Sequence, residues 1–423
     1  LIKAIKGTRD ILPEEISYWH WVERTAADVF QLYCYSEMRN PIFEETQLFA
    51  RSTGEDTDIV QKEMYTFEDK SGKSITLRPE GTPSILRAYI EHQLEQKSPV
   101  SRYYYIGPMF RYERPQKGRY RQFQQIGAEA LGEESPAIDA EQIDMLFHLL
   151  NRLGLNKANL ILNSIGCPKC RPAYLKTLEK NLKAVKYKLC PTCQERFERN
   201  MLRIFDCKEK GCQNLIDEAP KIIDHLCLEC EHHFTQLKAY LKELSIPYQI
   251  NPRLVRGLDY YTRTTYEFTY PGLGAQNSIL GGGRYDELIE QLGGPPTPAI
   301  GFAIGVDRLI LAIEKENINP PLNINDFSII PLGKDSLLKA LHLAHQLRQN
   351  GFSCYYHAKE RSLKAELRQA NRMGSQAALI VGEDELKKGV VLAKRMSDGK
   401  QKEIELKNLI PQLRSFINDD KAK

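Results

Sequence analysis

The stretch FRYERPQKGRYRQFQQIGAE, Phe110 to Glu129, decides how this chain is read. Five cations, Arg111, Arg114, Lys117, Arg119 and Arg121, surround a glycine-containing turn at Gly118. YYYIGPMF before the turn and FQQIGAEAL after it have the apolar and aromatic make-up of strands. A basic hairpin loop of this kind suits a polyphosphate. Guanidinium groups make planar, bidentate bonds to phosphate oxygens and stay charged at any working pH. A solvated charge run is the other reading of such a loop. The two carboxylates set among the cations, Glu113 and Glu129, fit that second reading poorly.

Around the hairpin the bulk numbers are those of a globular protein. With 423 residues, 42% hydrophobic and 27% charged, the chain can hold about two or three domains and a sizeable core. No apolar run approaches the roughly 20 residues that cross a bilayer. Leu1 to Asp10 has no signal-peptide pattern, so a cytoplasmic location and no membrane partner are expected. From Asn325 onward 18 Lys+Arg stand against 12 Asp+Glu, a net +6 that leaves −2 for the rest of a +4 chain. A basic C-terminal module fits a polyanionic partner such as nucleic acid, although solubility explains so small an excess equally well.

The pattern falls into four parts. Over 1–164, helical stretches (Ile16 to Leu32, Pro83 to Gln93, Asp139 to Leu153) alternate with turn-linked strands such as Ser74 to Arg78 and Tyr103 to Phe110. That order favours an α+β domain on an antiparallel sheet flanked by helices. A cysteine-rich insertion, 165–235, interrupts it. Strand and glycine patterns resume over 236–320, and a helix is expected from Gly305 to Glu314. A Pro/Asn-rich linker, Asn317 to Asp326, marks a boundary. Over 326–423, FSIIPL, FSCYYH, AALIVG and VVLAKRM alternate with helices near Leu337 to Gln349 and Leu363 to Met373. This predicts an α/β module with a largely parallel sheet, closed by a helix around Leu409 to Ile417.

Eight of the ten cysteines lie in four close pairs: Cys167/Cys170, Cys190/Cys193, Cys207/Cys212 and Cys227/Cys230. Three pairs are CxxC, the spacing that lets two thiolates meet one tetrahedral ion, and without a secretory signal disulfides are the weaker reading. Two Cys₄ zinc sites, one site with spare thiols, or an empty framework all remain open. A structural role fits best, since so short and polar an insertion builds little core by itself.

Three further segments carry chemistry. LRPEGTPSILRA, Leu77 to Ala88, reads as a strand, then a turn opening a helix, with Thr82 as its cap and Pro83 first in it. That leaves Glu80 at the rim, free to bind an amine. In LVRGLDYY, Leu254 to Tyr261, strand alternation would turn only one of Tyr260 and Tyr261 to a pocket unless a bulge intervenes. GGGRYD (Gly281 to Asp286) and AIGFAIGVDRL (Ala299 to Leu309) admit close approach of a ligand or another backbone, and Arg308 could project at a phosphate or stack on a base.

Together these segments resemble one family. Arg111 to Glu113 with its long loop is similar to motif 2 of the class II aminoacyl-tRNA synthetases, Gly301 to Arg308 to motif 3, and the region around Pro41 to Phe49 to motif 1. RGLDYY, GGGRYD, LRPEGT and the opening GTRDILPEE (Gly7 to Glu15) resemble histidyl-tRNA synthetases in particular, and the likeness covers nearly the whole chain.

The resemblance implies ATP-driven activation of L-histidine to histidyl-adenylate, then transfer to the 3′ end of tRNA(His). It implies Arg111 and Arg256 on the α-phosphate, and Mg²⁺ with the β- and γ-phosphates. Glu113, Arg119, Arg121 and Arg308 should bind the nucleotide, the loop arginines serving the outer phosphates or the tRNA end. Glu80, Thr82 and Gln125 should take the α-ammonium of histidine, and Glu129 with Tyr261, neighboured by Tyr260, its imidazole. It implies a homodimer through motif 1, an insertion that reaches toward the tRNA acceptor stem, and a C-terminal anticodon-binding domain. In that domain Arg361, Lys364 and Arg368 could face phosphates, or solvent alone. A regulatory paralogue, the histidine-binding subunit of ATP phosphoribosyltransferase, is the competing reading. It lacks the anticodon module. A nucleic-acid-binding protein with a dead core is disfavoured because no expected catalytic position is substituted.

Overall fold

The structure is a computed structural model that describes residues 2–54, 57–274, 277–321, 325–333, 336–359 and 361–418. Two compact units emerge, Leu1–Asn319 and Pro320–Lys423. The linker expected at Asn317 to Asp326 includes 322–324, which lie outside the described residues.

The first unit is built on an eight-stranded sheet. In chain order its strands are β1 (Ser36–Glu37), β2 (Ser101–Phe110), β3 (Gln122–Leu131), β4 (Asn159–Ser164), β5 (Gln249–Ile250), β6 (Thr262–Thr269), β7 (Ser278–Arg284) and β8 (Ala299–Gly305). Across the sheet the order is β1-β2-β3-β8-β7-β6-β4-β5. The six central strands are antiparallel, as expected, while the two-residue strands β1 and β5 add parallel edges.

Side chains on a strand alternate between faces, and here the alternation separates core from site. Ile126, Ala128 and Ala130 of β3, Ile300, Phe302 and Ile304 of β8, and Tyr266 and Phe268 of β6 belong to the main core. Against that face lie α1 (Pro13–Leu32), α2 (Pro136–Arg152), α3 (Leu228–Glu243) and α4 (Val306–Lys315). The second of these shows how local sequence sets such an element. Ser135 Oγ accepts from the Ala137 amide at 3.2 Å, Pro136 occupies the first turn, and Ile138, Ile143, Leu146, Leu149 and Leu150 are buried at helical spacing.

The opposite face carries the other half of each strand. Register places Glu129 beside Gly301, Gly301 beside Gly283, and Gly283 beside Thr265. One step along, Gly127, Ala303, Gly281 and Glu267 form the next row. Small residues therefore floor a depression from which two carboxylates project.

The second unit carries a five-stranded sheet. Strands Cys354–Tyr356, Phe327–Pro331 and Ala377–Val381 pair in parallel, with helices Ser336–Gln349 and Leu363–Arg372 in the crossovers. The sheet is less parallel than the sequence suggested, because Val390–Arg395 and Gln401–Glu405 join antiparallel. The cause is the connections. Parallel pairing needs a crossover of about a dozen residues, but only the short helix Glu383–Lys388 precedes Val390 and a tight turn follows Arg395. The closing helix runs over Leu409–Asn418.

Candidate active site

A cavity of about 800 Å³ opens over the glycine-rich face of the large sheet, within the range of small-molecule sites. At one end lie two buried carboxylates. Glu129, on β3, is fully buried and accepts from Thr82 Oγ1 at 2.6 Å and, through a short bond, from the Tyr285 hydroxyl. Burial pushes its pKa up to about 8, against the pull of those two hydrogen bonds and with a further push from Glu80. A methyl group at Gly301 would overlap the Glu129 carboxylate, so this strand position requires glycine.

Glu80 is 3% exposed and accepts from Thr53 Oγ1 at 2.8 Å and from the Tyr260 hydroxyl at 2.9 Å. Burial raises its pKa as well, opposed by the Arg111 charge. Gln125 Oε1 accepts from the Tyr105 hydroxyl at 3.1 Å. Burial holds the Tyr261 hydroxyl up at about 12, so it remains protonated. Carboxylates and donors thus meet in a buried pocket able to bind a cationic or N–H-rich small molecule.

At the other end stand arginines. Arg111 is anchored by Nε donating to Pro79 O at 2.8 Å and lies over the Phe123 ring at 5.5 Å. Arg256 pairs with Glu267 at 3.1 Å and lies flat on the sheet, where a methyl at Gly281 would overlap its guanidinium. Arg119 pairs with Glu113 at 3.1 Å, and Arg308 donates to Ser278 O at 2.7 Å. Burial, then the like charge of Arg119, lowers the Arg308 pKa. Eight basic side chains line the cavity against six carboxylates, an excess of positive charge where an anion fits.

Most of the residues singled out from sequence line this one cavity: Glu80, Thr82, Gln125, Tyr260 and Tyr261 at the carboxylate end, Arg111, Glu113, Arg119, Arg256 and Arg308 at the other. Glu129 meets it through Thr82 and Tyr285. Three expectations need correction. Thr82 does not cap its helix, Thr82–Glu91. Gly81 holds the cap position, Pro83 follows Thr82 inside the first turn, and the threonine hydroxyl goes to Glu129 instead. LVRGLDYY is not a strand, since β6 begins only at Thr262; free of alternation, both tyrosines face the cavity with rings 4.8 Å apart. Arg121 turns away, its guanidinium 3.7 Å over the Tyr112 ring and donating to Lys6 O at 3.2 Å.

Sequence reasoning passed over Thr53, Tyr105, Tyr285, Glu267 and the wall supplied by Arg203 and Asp206 of the insertion. Tyr285 lies inside GGGRYD and was within reach. The same motif's Arg284 is structural: fully buried, it bonds Asp139 at 2.9 Å, Asp286 at 2.8 Å and Glu133 O at 2.6 Å.

The eight insertion cysteines form two groups of four, Cys167/Cys170/Cys227/Cys230 and Cys190/Cys193/Cys207/Cys212, with all Sγ atoms of a group within 4.8 Å of one another. Sγ–Sγ separations are 3.8, 3.7 and 3.9 Å in the first and 3.8 Å in the second. A tetrahedron with metal–sulfur bonds of ~2.3 Å has edges of ~3.8 Å, whereas a disulfide needs ~2.05 Å. The Cys167 amide donates to Cys170 Sγ at 3.2 Å and the Cys190 amide to Cys212 Sγ at 3.1 Å, bonds that stabilise thiolates. Both groups fit a thiophilic tetrahedral ion.

An antiparallel sheet with an Arg-x-Glu hairpin, a glycine-rich floor and a terminal helix bearing Arg308 has the architecture of the class II aminoacyl-tRNA synthetases. The family description "Histidyl-tRNA synthetase" matches residues 7–309, and "Anticodon binding domain" matches 326–416. The histidine–tRNA ligase of Halothermothrix orenii is 47% identical over 417 residues, 98% of this chain and all of that one. That of Solibacter usitatus is 49% identical over 419 residues, 99% of this chain and 100% of its own. The apo histidyl-tRNA synthetase of S. aureus superposes with a TM-score of 0.82 at 38% identity, covering 99% of this chain and 100% of that one. The chain belongs to the histidyl-tRNA synthetase family.

Proposed function

We propose that the protein is a histidine–tRNA ligase that activates L-histidine with ATP and transfers it to the 3′ end of tRNA(His). The observation that carries this is the single cavity with carboxylates buried at one end and Arg111 and Arg256 at the other. In the first step a carboxylate oxygen of histidine attacks the α-phosphorus of ATP. The bond to the bridging oxygen breaks, and pyrophosphate leaves with the electron pair. Negative charge grows on the α-phosphate oxygens, and Arg111 and Arg256 are held by fixed partners where they can neutralise it. The 3′-terminal ribose hydroxyl then takes the acyl group, its proton is lost, and AMP is released.

Glu80, with Thr82 and Gln125, takes the α-ammonium. Glu129 accepts an imidazole N–H, and Tyr261 serves the second ring nitrogen. A shape mimic would leave these polar groups unpaired, enough for discrimination of roughly 10⁴–10⁵-fold without editing. Glu113, Arg119 and Arg308 serve the nucleotide. Mg²⁺, a hard ion suited to oxygen, would be accommodated by Glu113 and Glu63 and would add charge neutralisation on the outer phosphates. Burial, then repulsion from Glu113, raises the Glu63 pKa, with Arg111 pulling the other way.

The same reading assigns structural Zn²⁺ to both thiolate groups and places an insertion over 165–235 between catalytic parts 1–164 and 236–320. The basic unit from 326 binds the tRNA anticodon. There Arg361 turns to His357 at 3.1 Å and Glu366 at 3.8 Å, so Lys364 and Arg368 are the better phosphate candidates. Exposed Ile42 and Phe43 of the motif 1 region, with Phe67 on the same three-stranded sheet (Phe43–Glu45, Ser74–Leu77 and Tyr65–Glu68) as Phe43, suit a homodimer interface. No helix among the described residues is long and apolar enough to cross a membrane, and a cytoplasmic location fits a tRNA substrate.

Histidine-dependent ATP–pyrophosphate exchange tests the proposal. Wild-type protein should exchange, and Arg256→Ala should lose at least about 10²-fold, the scale of one charge-stabilising group. No exchange in the wild type would return the regulatory paralogue. Against that alternative stand the match to an anticodon-binding domain and full-length alignment with ligases.

A further inference from the structure

The insertion leaves the sheet after β4 and returns through α3. One cysteine group, Cys167/Cys170/Cys227/Cys230, joins those two crossing points. The other lies inside the insertion, and its surroundings differ. Cys207 ends the short helix Met201–Asp206, and Cys190 and Cys193 bound the start of helix Pro191–Arg199. Between them the chain is held by Arg196 donating to Arg203 O at 3.0 Å and Gln213 to Cys207 O at 3.2 Å.

This braced segment is a wall of the catalytic cavity, to which Arg203, Phe205, Asp206 and Lys208 contribute. Arg203 donates to Gly257 O at 3.2 Å, the carbonyl next to Arg256, and pairs with Asp206 at 3.3 Å and Asp58 at 3.6 Å. Asn200 donates to Asp259 at 2.7 Å, so Asn200 and Arg203 hold RGLDYY at Asp259 and at Gly257. A glycine between Arg256 and Leu258 gives that backbone little stiffness of its own.

We propose that the two tetrathiolate sites divide their tasks. The Cys167/Cys170/Cys227/Cys230 site closes the neck of the insertion. The Cys190/Cys193/Cys207/Cys212 site is a Zn²⁺ positioning site for the nucleotide end of the cavity, acting through Arg203 on the backbone that carries Arg256. The inference rests on the zinc and ligase readings above. Loss of the inner ion should loosen the ATP end, while the histidine end keeps its shape: Glu129 stands on β3, Tyr260 donates to Glu80 at 2.9 Å, and the Tyr261 carbonyl accepts from Arg171 at 2.6 Å.

The test uses reduced, full-length protein as wild type, Cys193→Ser/Cys212→Ser and Arg203→Ala. Metal analysis should find about two zinc ions per chain in the wild type and in Arg203→Ala, and about one in the double variant. In both variants the ATP KM should rise about ten- to hundredfold, the size of one lost hydrogen bond from a charged donor, while the histidine KM stays within about twofold. Amides of residues 254–258 should exchange faster in both. A merely structural site would lower the active fraction and leave both KM values alone, and that outcome overturns the division of tasks with zinc still bound. An unchanged ATP KM in Arg203→Ala refutes the route through Gly257, and this variant carries the test if the cysteine variant does not fold. Near-zero zinc in a wild type that exchanges pyrophosphate refutes the metal itself.

Discussion

Replacing Glu129 with glutamine keeps the side chain's size and removes its charge, and the consequence can be worked from the pocket. In the unliganded protein burial holds the Glu129 carboxyl at about pKa 8, against 4.5 for an ordinary glutamate. Between those values the folded protein binds a proton that the unfolded chain has released. Stability therefore falls as pH rises through that window, at up to about 1.36 kcal/mol per pH unit. Integrated from pH 5 to pH 8, this one group removes about 3.5 kcal/mol. Glutamine does not titrate, and the rest of the protein is common to both forms. The difference in unfolding free energy, wild type minus Glu129→Gln, should thus decline by about 3.5 kcal/mol over that range in urea titrations without histidine. Saturating histidine should flatten the decline, because the ligand adds an N–H donor to the two hydroxyls that already serve the carboxylate. A difference that stays level from pH 5 to pH 8 would refute the claim that Glu129 sits desolvated and proton-bound in the empty site.

Tyr285→Phe removes one of the two hydroxyls bonded to Glu129, so the histidine KM should rise about ten- to hundredfold with the ATP KM little changed; equal shifts in both would argue against an imidazole pocket. Arg284→Met leaves Asp139 buried without its cation and should cost about 3–5 kcal/mol in denaturant unfolding, while a loss below about 1 kcal/mol would show the network to be dispensable.

How far the sequence could be read depended on how local the determining contacts were. The Phe110–Glu129 hairpin, the helices with apolar stripes and the CxxC pairs are decided by neighbours in the chain, and each stands where expected. Thr82 misled because Thr-Pro at a helix start is a sound capping signal. The hydroxyl's real partner, Glu129, arrives from a distant strand. The two tyrosines of RGLDYY misled in the opposite direction, since an aromatic run beside a strand suggested alternation where the chain in fact turns. Arg121 belongs to a cationic run, yet an aromatic ring from the same loop captured it. The antiparallel end of the second sheet could have been anticipated from its short connections. The braced wall at Arg203 could not, because nothing in a Lys/Glu-rich insertion announces that it folds back over the sheet.

The strand order has a bearing on biosynthesis. The pocket floor joins β3 to β8 and β8 to β7, and Glu129 faces Gly301 across a junction that skips the whole insertion. A ribosome-tethered chain that has emerged only as far as β7 holds nearly every residue proposed to bind substrate and still has a gap in the middle of its sheet. Competence for histidine activation therefore waits on β8, which slots between strands already made.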